Sequence, residues 1–238
     1  MTSPSARLVT IHSVLTLDAQ HSFTAKALID AHHMHRTVMS GFYGWVPDGD
    51  PTARSQMGVL STWTVDLKTN TLVLVVQSRV PGDWTRIPRS ALVAAPQTIN
   101  VDRAIQPGDT FSFRTVVNPA RSRPSRKPPS EKVRGRLVPH TTPEHSKQWF
   151  LKRLQPDGEP NTGPAGIARI GANTDSEALS VRMLPTISSS GPHKGLRITR
   201  AEMKGKLTVT DPSTLVTTLT NGIGHARAYG CGLILIRT

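Results

Sequence analysis

Between Arg121 and Arg136 the chain carries Arg121, Arg123, Arg126, Lys127, Lys132, Arg134 and Arg136 against one acid, Glu131, with Pro124, Pro128 and Pro129 set among them. Proline removes a backbone donor and clashes with the preceding turn, so no helix runs through this stretch. Like charges at this density repel one another and stay solvated. The tract therefore divides the 238 residues into residues 1–119, a basic linker at 120–135, and residues 136–238. Each half is long enough for one small core.

The first half has a readable order of elements. Arg7 to Leu17 reads as a strand, and Thr24 to Met39 as a helix with Gly41 as its end signal. Gly58 to Leu67 and Thr71 to Ser78 are rich in β-formers and flank the polar turn Lys68-Thr69-Asn70, which predicts a hairpin. Pro81 to Pro96 has room for a short helix, and Thr110 to Asn118 reads as another strand. This order, β-α-β-β-(α)-β, is that of a ferredoxin-like unit.

The second half follows a similar order more loosely. Pro143 to Leu154 is helical, with Thr142 as N-cap and Pro143 in the first turn. Ala165 to Ile170, Leu179 to Leu184 and Leu196 to Thr210 read as strands. Asp211 and Pro212 open a helix that runs to Asn221, and Leu233 to Ile236 is a final buried strand. The expected fold is α+β, with two tandem ferredoxin-like (RRM-type) domains.

The balance of 29 Lys and Arg against 16 Asp and Glu, a formal net charge of +13, favours a polyanionic partner. No run of 18 apolar residues offers a transmembrane helix, and Met1 to Thr10 lacks the features of a signal peptide. A cytoplasmic nucleic-acid-binding protein, with no membrane partner, is expected. Cys231 is the only cysteine, which excludes an internal disulfide and a cysteine-based zinc site. Between Gly230 and Gly232 it reads as a small packed residue.

The densest chemical cluster is Asp30-Ala31-His32-His33-Met34-His35-Arg36. At about 100° per residue, Ala27, Ala31, Met34 and Val38 form a buried stripe, while Asp30, His33, Arg36 and Ser40 turn toward solvent. His32 and His35 share one shoulder, beside Leu28 and Met39. Metal-free RNA cleavage needs a base for the 2′-hydroxyl proton, an acid for the departing 5′ oxygen, and cations around the phosphorane. Imidazole serves as base or acid near neutral pH, and Arg or Lys supplies the electrostatic part. Two other readings stand beside this one. A His-x-x-His pair can ligate zinc, although no suitably spaced further ligand is evident, and histidines can simply decorate a helix.

Asn221-Gly222-Ile223-Gly224-His225-Ala226-Arg227-Ala228-Tyr229-Gly230-Cys231-Gly232 is the most specific motif. Its glycines let backbone approach a phosphate chain, His225 and Arg227 add charge, and Tyr229 offers a stacking face. It follows a helix and opens a strand, the reverse of a dinucleotide-binding loop. A tight helix-to-strand connection also uses glycine in this way.

The stretch Gly222 to Leu233 resembles the C-terminal signature of the CasE family of CRISPR repeat-processing endoribonucleases. Asp30 to Phe42 resembles the first helix of that family. Val75-Val76-Gln77-Ser78-Arg79-Val80-Pro81 with Trp84, and Phe111 to Pro119, resemble its central strands. The resemblance implies that His35 is the catalytic histidine. The position three earlier, often tyrosine in the family, is His32 here, either a second proton-transfer group or a residue that places RNA. It also implies two ferredoxin-like domains and no cofactor or metal. The implied substrate is the stem-loop of a CRISPR repeat, precursor CRISPR RNA cut at the 3′ base of the stem. The implied products are a 5′-hydroxyl and a 2′,3′-cyclic phosphate, with the RNA product retained and other Cascade subunits as partners.

The expected RNA contacts are Arg36, Arg121, Arg123, Arg126, Lys127, Arg134, Arg136, Lys194, Arg197, Arg200, Lys204 and Lys206, with Gly222, Gly224, His225, Arg227 and Tyr229. An A-form stem is gripped largely through backbone and shape. A non-catalytic RRM-type RNA-binding protein shares the charge and fold but needs no reactive histidine.

Overall fold

A computed structural model describes residues 4–47, 49–123, 136–163, 166–189 and 195–238. Of the basic residues singled out above, Arg126, Lys127, Lys132, Arg134 and Lys194 lie outside the described residues, as do the side chains of Arg123 and Arg136.

The first unit begins with β1 (Ala6–Asp18), followed by helices α1 (Ser22–Ile29), α2 (Ala31–Met39) and the short α3 (Ala53–Gln56). Strands β2 (Leu60–Asp66), β3 (Thr71–Ser78) and β4 (Gln97–Ile105) complete it, with a 3-10 turn at Arg89–Ala91. The sheet order is β2-β3-β1-β4, all neighbours antiparallel. That is the ferredoxin-like arrangement, in which β1 and β2 flank β3 across a helical crossover.

The second unit repeats the arrangement. It comprises β5 (Thr110–Val117), α4 (Pro143–Leu151), β8 (Ala172–Asn173), β9 (Ser180–Ser188), β10 (Arg197–Val209), α5 (Pro212–Asn221) and β11 (Ile234–Arg237). Its sheet runs β11-β5-β10, and both β8 and β9 pair with β10. Caps set the helix starts as expected: Thr142 accepts from the His145 amide and Asp211 from the Thr214 amide.

Three expectations are corrected. Thr110–Val117 is not the last strand of the first unit but the first strand of the second. The fourth strand of the first sheet is Gln97–Ile105, which sequence reading missed. This is an edge strand with most of its side chains in water, Ile99 among them, so it lacks the alternation that marks a half-buried strand. The sheets therefore part at 106–109 rather than 119. The ends of the expected linker are also not a tether. Ala120–Arg123 (β6) pairs antiparallel with Arg136–Pro139 (β7), so the basic tract begins and ends in a two-stranded ribbon, whose base is held where the Trp149 indole donates to the Ala120 carbonyl. Finally, Ala165 to Ile170 forms no strand among its described residues, and the short strand β8 lies just after it.

β1 ties the units together. Its buried residues change face along the strand. Leu8 belongs to the core that holds Leu215, Leu219 and Ile234, whereas Leu15 and Leu17 belong to the core that holds Ala27, Met34 and Val38. Beside it the Gln77 amide donates to the Leu219 carbonyl at 2.8 Å. Cys231 is fully buried and its thiol is pushed up to about 12, as suits a packed residue. No helix among the described residues is long and apolar enough to cross a membrane.

Candidate active site

The helix expected over Thr24 to Met39 is two helices, broken at Asp30. Asp30 has extended backbone (φ −119°, ψ 118°) and a buried carboxylate that caps α2 by accepting from the His32 amide at 2.8 Å. Ser189 of the second unit donates its hydroxyl to the same oxygen at 3.2 Å. Asp30 was expected in solvent. A capping aspartate ends one helix and starts the next, so it turns inward.

The buried stripe and Arg36 lie as expected, whereas His33 and Ser40, expected in solvent, are half-buried, Ser40 in the 3-10 turn that follows α2 with its hydroxyl donating to the Thr37 carbonyl. Ala27, Ala31, Met34 and Val38 are buried, and Arg36 is exposed. His32 and His35 are half-buried on one shoulder, and His33 is half-buried elsewhere on the helix.

The glycine loop, which links α5 to β11, closes over that shoulder. Tyr229 sits edge-on to both histidines, with ring centroids 5.3 Å from His32 and 6.0 Å from His35. Two closures shape the loop: the Ile223 amide donates to the Gly232 carbonyl at 2.9 Å, and the Gly232 amide to the Val116 carbonyl at 2.7 Å. Gly230 adopts φ 74°, and a Cβ there would fall inside the Trp63 ring. Its lack of a side chain serves a left-handed backbone and packing against Trp63. Gly224, at φ 72°, faces Trp149 at 3.0 Å from the same imagined atom.

His35 is held in a defined state. Burial is the main cause that lowers its pKa below the ordinary histidine value. A hydrogen bond to the Ala228 carbonyl acts the other way, and the charges of Arg54 and His32 lower it further. Near neutral pH the ring is therefore neutral. One ring N–H donates to Ala228, which leaves the other nitrogen with a lone pair for a proton. Burial raises the Tyr229 phenol, so its hydroxyl keeps its proton.

Arg54 was missed by sequence reading. It lies on α3, donates to the Val59 carbonyl at 2.8 Å, and places its charge beside both His35 and Arg227. The segment between α2 and β2 gives no pattern that singles it out. The cations expected to bind RNA do not form one group. Arg227 is half-buried in the loop and donates to the Asn221 carbonyl at 2.8 Å. Gly222 is half-buried at the start of the loop, and His225 is exposed. Arg121 and Arg197 are exposed elsewhere, Arg121 on the ribbon and Arg197 at the start of β10. Lys204 and Lys206 are exposed farther along β10, opposite Arg114 and Ser112 of β5, and Lys204 meets Glu202 at 3.2 Å. Arg200 is buried, donates twice to the Pro185 carbonyl and lies over Trp63. It holds the two units together rather than facing a ligand. No group of three or more His, Cys, Asp or Glu side chains placed to hold a metal occurs among the described residues.

Comparison with known proteins places this geometry. Over 169 residues the chain is 28% identical to the CRISPR-associated endoribonuclease Cse3 of Thermus thermophilus, covering 69% of this chain and 72% of that protein. Thermus thermophilus Cse3 bound to an RNA representing a pre-cleavage complex superposes with a TM-score of 0.72 at 21% identity, over 97% of this chain and 100% of that one. Cas6e from Escherichia coli K-12 superposes with a TM-score of 0.60 at 18% identity, over 95% of this chain and 98% of that one. These matches share the fold described above. The model of the CRISPR associated protein family matches residues 12–238, and the chain belongs to that family.

Proposed function

We propose that this chain is a CRISPR repeat-processing endoribonuclease of the CasE type. It binds the stem-loop of a repeat in precursor CRISPR RNA and cuts at the 3′ base of the stem. The observation that carries the reading is His35: a neutral imidazole fixed by the Ala228 carbonyl, with its remaining nitrogen available and His32, Tyr229 and Arg54 around it. The named activity of the Cse3 relative supports the same reaction.

The chemistry needs only groups of this chain. His35 takes the proton of the ribose 2′-hydroxyl, and the 2′ oxygen attacks the adjacent phosphorus. The bond from phosphorus to the 5′ oxygen breaks, and that oxygen takes a proton from His32 or Tyr229. The products are a 2′,3′-cyclic phosphate and a 5′-hydroxyl. Arg54 and Arg227 offset the charge on the phosphorane. The expected phosphate contacts are Arg36, Arg121 and Arg227, with the basic ribbon alongside the stem. The product stays bound and joins other Cascade subunits in the cytoplasm.

Incubation of the chain with repeat-hairpin RNA in EDTA tests this directly. One cut at the 3′ base of the stem, with a cyclic phosphate on the upstream fragment, is the expected result. Loss of cutting in EDTA, or uncut RNA throughout, would overturn the reading.

A further inference from the structure

The glycine loop has a second neighbour. At the end opposite Tyr229, Gly222 to Gly224 edge a cavity of about 590 Å³ between α5 and the segment that follows α4. Its volume lies in the range of ligand pockets, about 300–1,000 Å³. Arg153, Arg169, Asn161, Thr214 and Thr217 line it, so its wall is rich in donors.

Arg153 carries the main signal. Its guanidinium carbon lies over the Trp149 ring, 3.5 Å from the centroid, and one N–H donates to the Trp149 carbonyl at 2.6 Å. No carboxylate among the described residues pairs with it. Burial alone lowers it to about 10. A desolvated cation without a counterion is costly, and an anion brought beside it offsets that cost. Arg169 gives a second, independent signal. Its Nη1 meets Glu159 at 3.1 Å and the Pro160 carbonyl at 3.3 Å, while its Nε is buried without a hydrogen-bond partner among the described residues. Buried donors in folded proteins are nearly always satisfied.

We infer that this cavity is a nucleotide subsite, which takes one unpaired nucleotide flanking the stem of the bound RNA. Its phosphate meets Arg153, and its base edge meets the threonine and asparagine groups. The inference rests on the RNA-processing reading and adds a place for RNA outside the stem. A paired nucleotide is stacked within its helix, whereas an unpaired base can splay out and lie against a guanidinium plane. The same loop has the cavity at one end and the histidine pair at the other.

The test uses full-length protein with His35→Ala, so that RNA is bound and not consumed, read by fluorescence anisotropy. The probes are one repeat stem-loop with and without unpaired nucleotides at its ends. Flanks should tighten binding about tenfold, or about 1.4 kcal/mol. Thr217→Glu puts a carboxylate at the cavity wall from an exposed position on α5; it should remove the gain from the flanks and leave affinity for the bare stem-loop unchanged. Arg153→Gln should do the same, and Thr217→Glu decides the matter if Arg153→Gln does not fold. Stem-loop binding with no gain from flanks, or a Thr217→Glu loss equal on both probes, overturns the subsite alone. Failure to bind either probe overturns the RNA reading and the subsite with it.

Discussion

The two ferredoxin-like units share one strand order but not one regularity. In the second, both crossovers hold intact helices, α4 and α5, each opened by a cap and a proline. In the first, the leading crossover is broken at Asp30 and the other is reduced to the 3-10 turn at Arg89–Ala91. The histidines sit on the broken element. An unbroken helix presents its side chains at fixed turns, whereas a capped break lets α2 take its own direction toward the loop. The regular unit delivers the loop, and the irregular one receives it.

Substitutions on each side of that contact can break the comparison. The largest effect is expected from His35→Ala, which should lower single-turnover cleavage of a repeat hairpin by about 10²–10⁴-fold while hairpin binding survives. If cutting were as fast as wild type, the chemistry would not lie on α2. Next is Gly230→Ala, on the side of the regular unit. It adds a side chain into Trp63 at a left-handed φ, and should cost about 3 kcal/mol of unfolding free energy in urea. A stable variant would mean that the loop can leave Trp63, and that the units meet more loosely than described.

Asp30→Ala removes the cap of α2 and the tie to Ser189. It should cost about 1 kcal/mol and slow cleavage, because the histidines lose their support; melting and cleavage assays read the two effects. An unaffected rate would make the break incidental to the chemistry. A smaller effect sharpens the role of Arg54. A base must be neutral to act, and burial together with Arg54 and His32 disfavours the imidazolium of His35. The acid limb of the rate profile should therefore lie below the ordinary histidine range, and Arg54→Gln should move it to higher pH. A limb that stays in place would separate Arg54 from His35. The smallest effect should come from His33→Ala, which lies off the shared shoulder and should cut at the wild-type rate.

Much of this was legible in the residues, and the exceptions share physical causes. Runs of β-formers about a polar turn found β2 and β3, and capping chemistry found α4 and α5, because those signals are local. The strand Gln97–Ile105 escaped because an edge strand with wet faces carries no burial pattern. Missing it pushed Thr110–Val117 into the wrong sheet. The pairing of His32 with His35 follows from helical spacing, but the approach of Tyr229 does not, since nothing local ties residue 229 to residue 35. Arg200 shows the limit of counting charge. As a residue type it looks like a phosphate contact, yet its guanidinium is consumed by the Pro185 carbonyl and Trp63.

The change of face along β1 bears on how the chain acquires its structure. Leu15 and Leu17 find their neighbours as soon as the nearby helices exist, but Leu8 waits for Leu215 and Leu219. During synthesis, β1 stays half-finished until α5 emerges. Contacts so far apart in sequence close slowly. The halves should therefore not mature in turn as separate foldons. Leu8 has Ile105 and Phe111 in its cluster before α5 is made, and α5 completes that core, so the two units finish folding together.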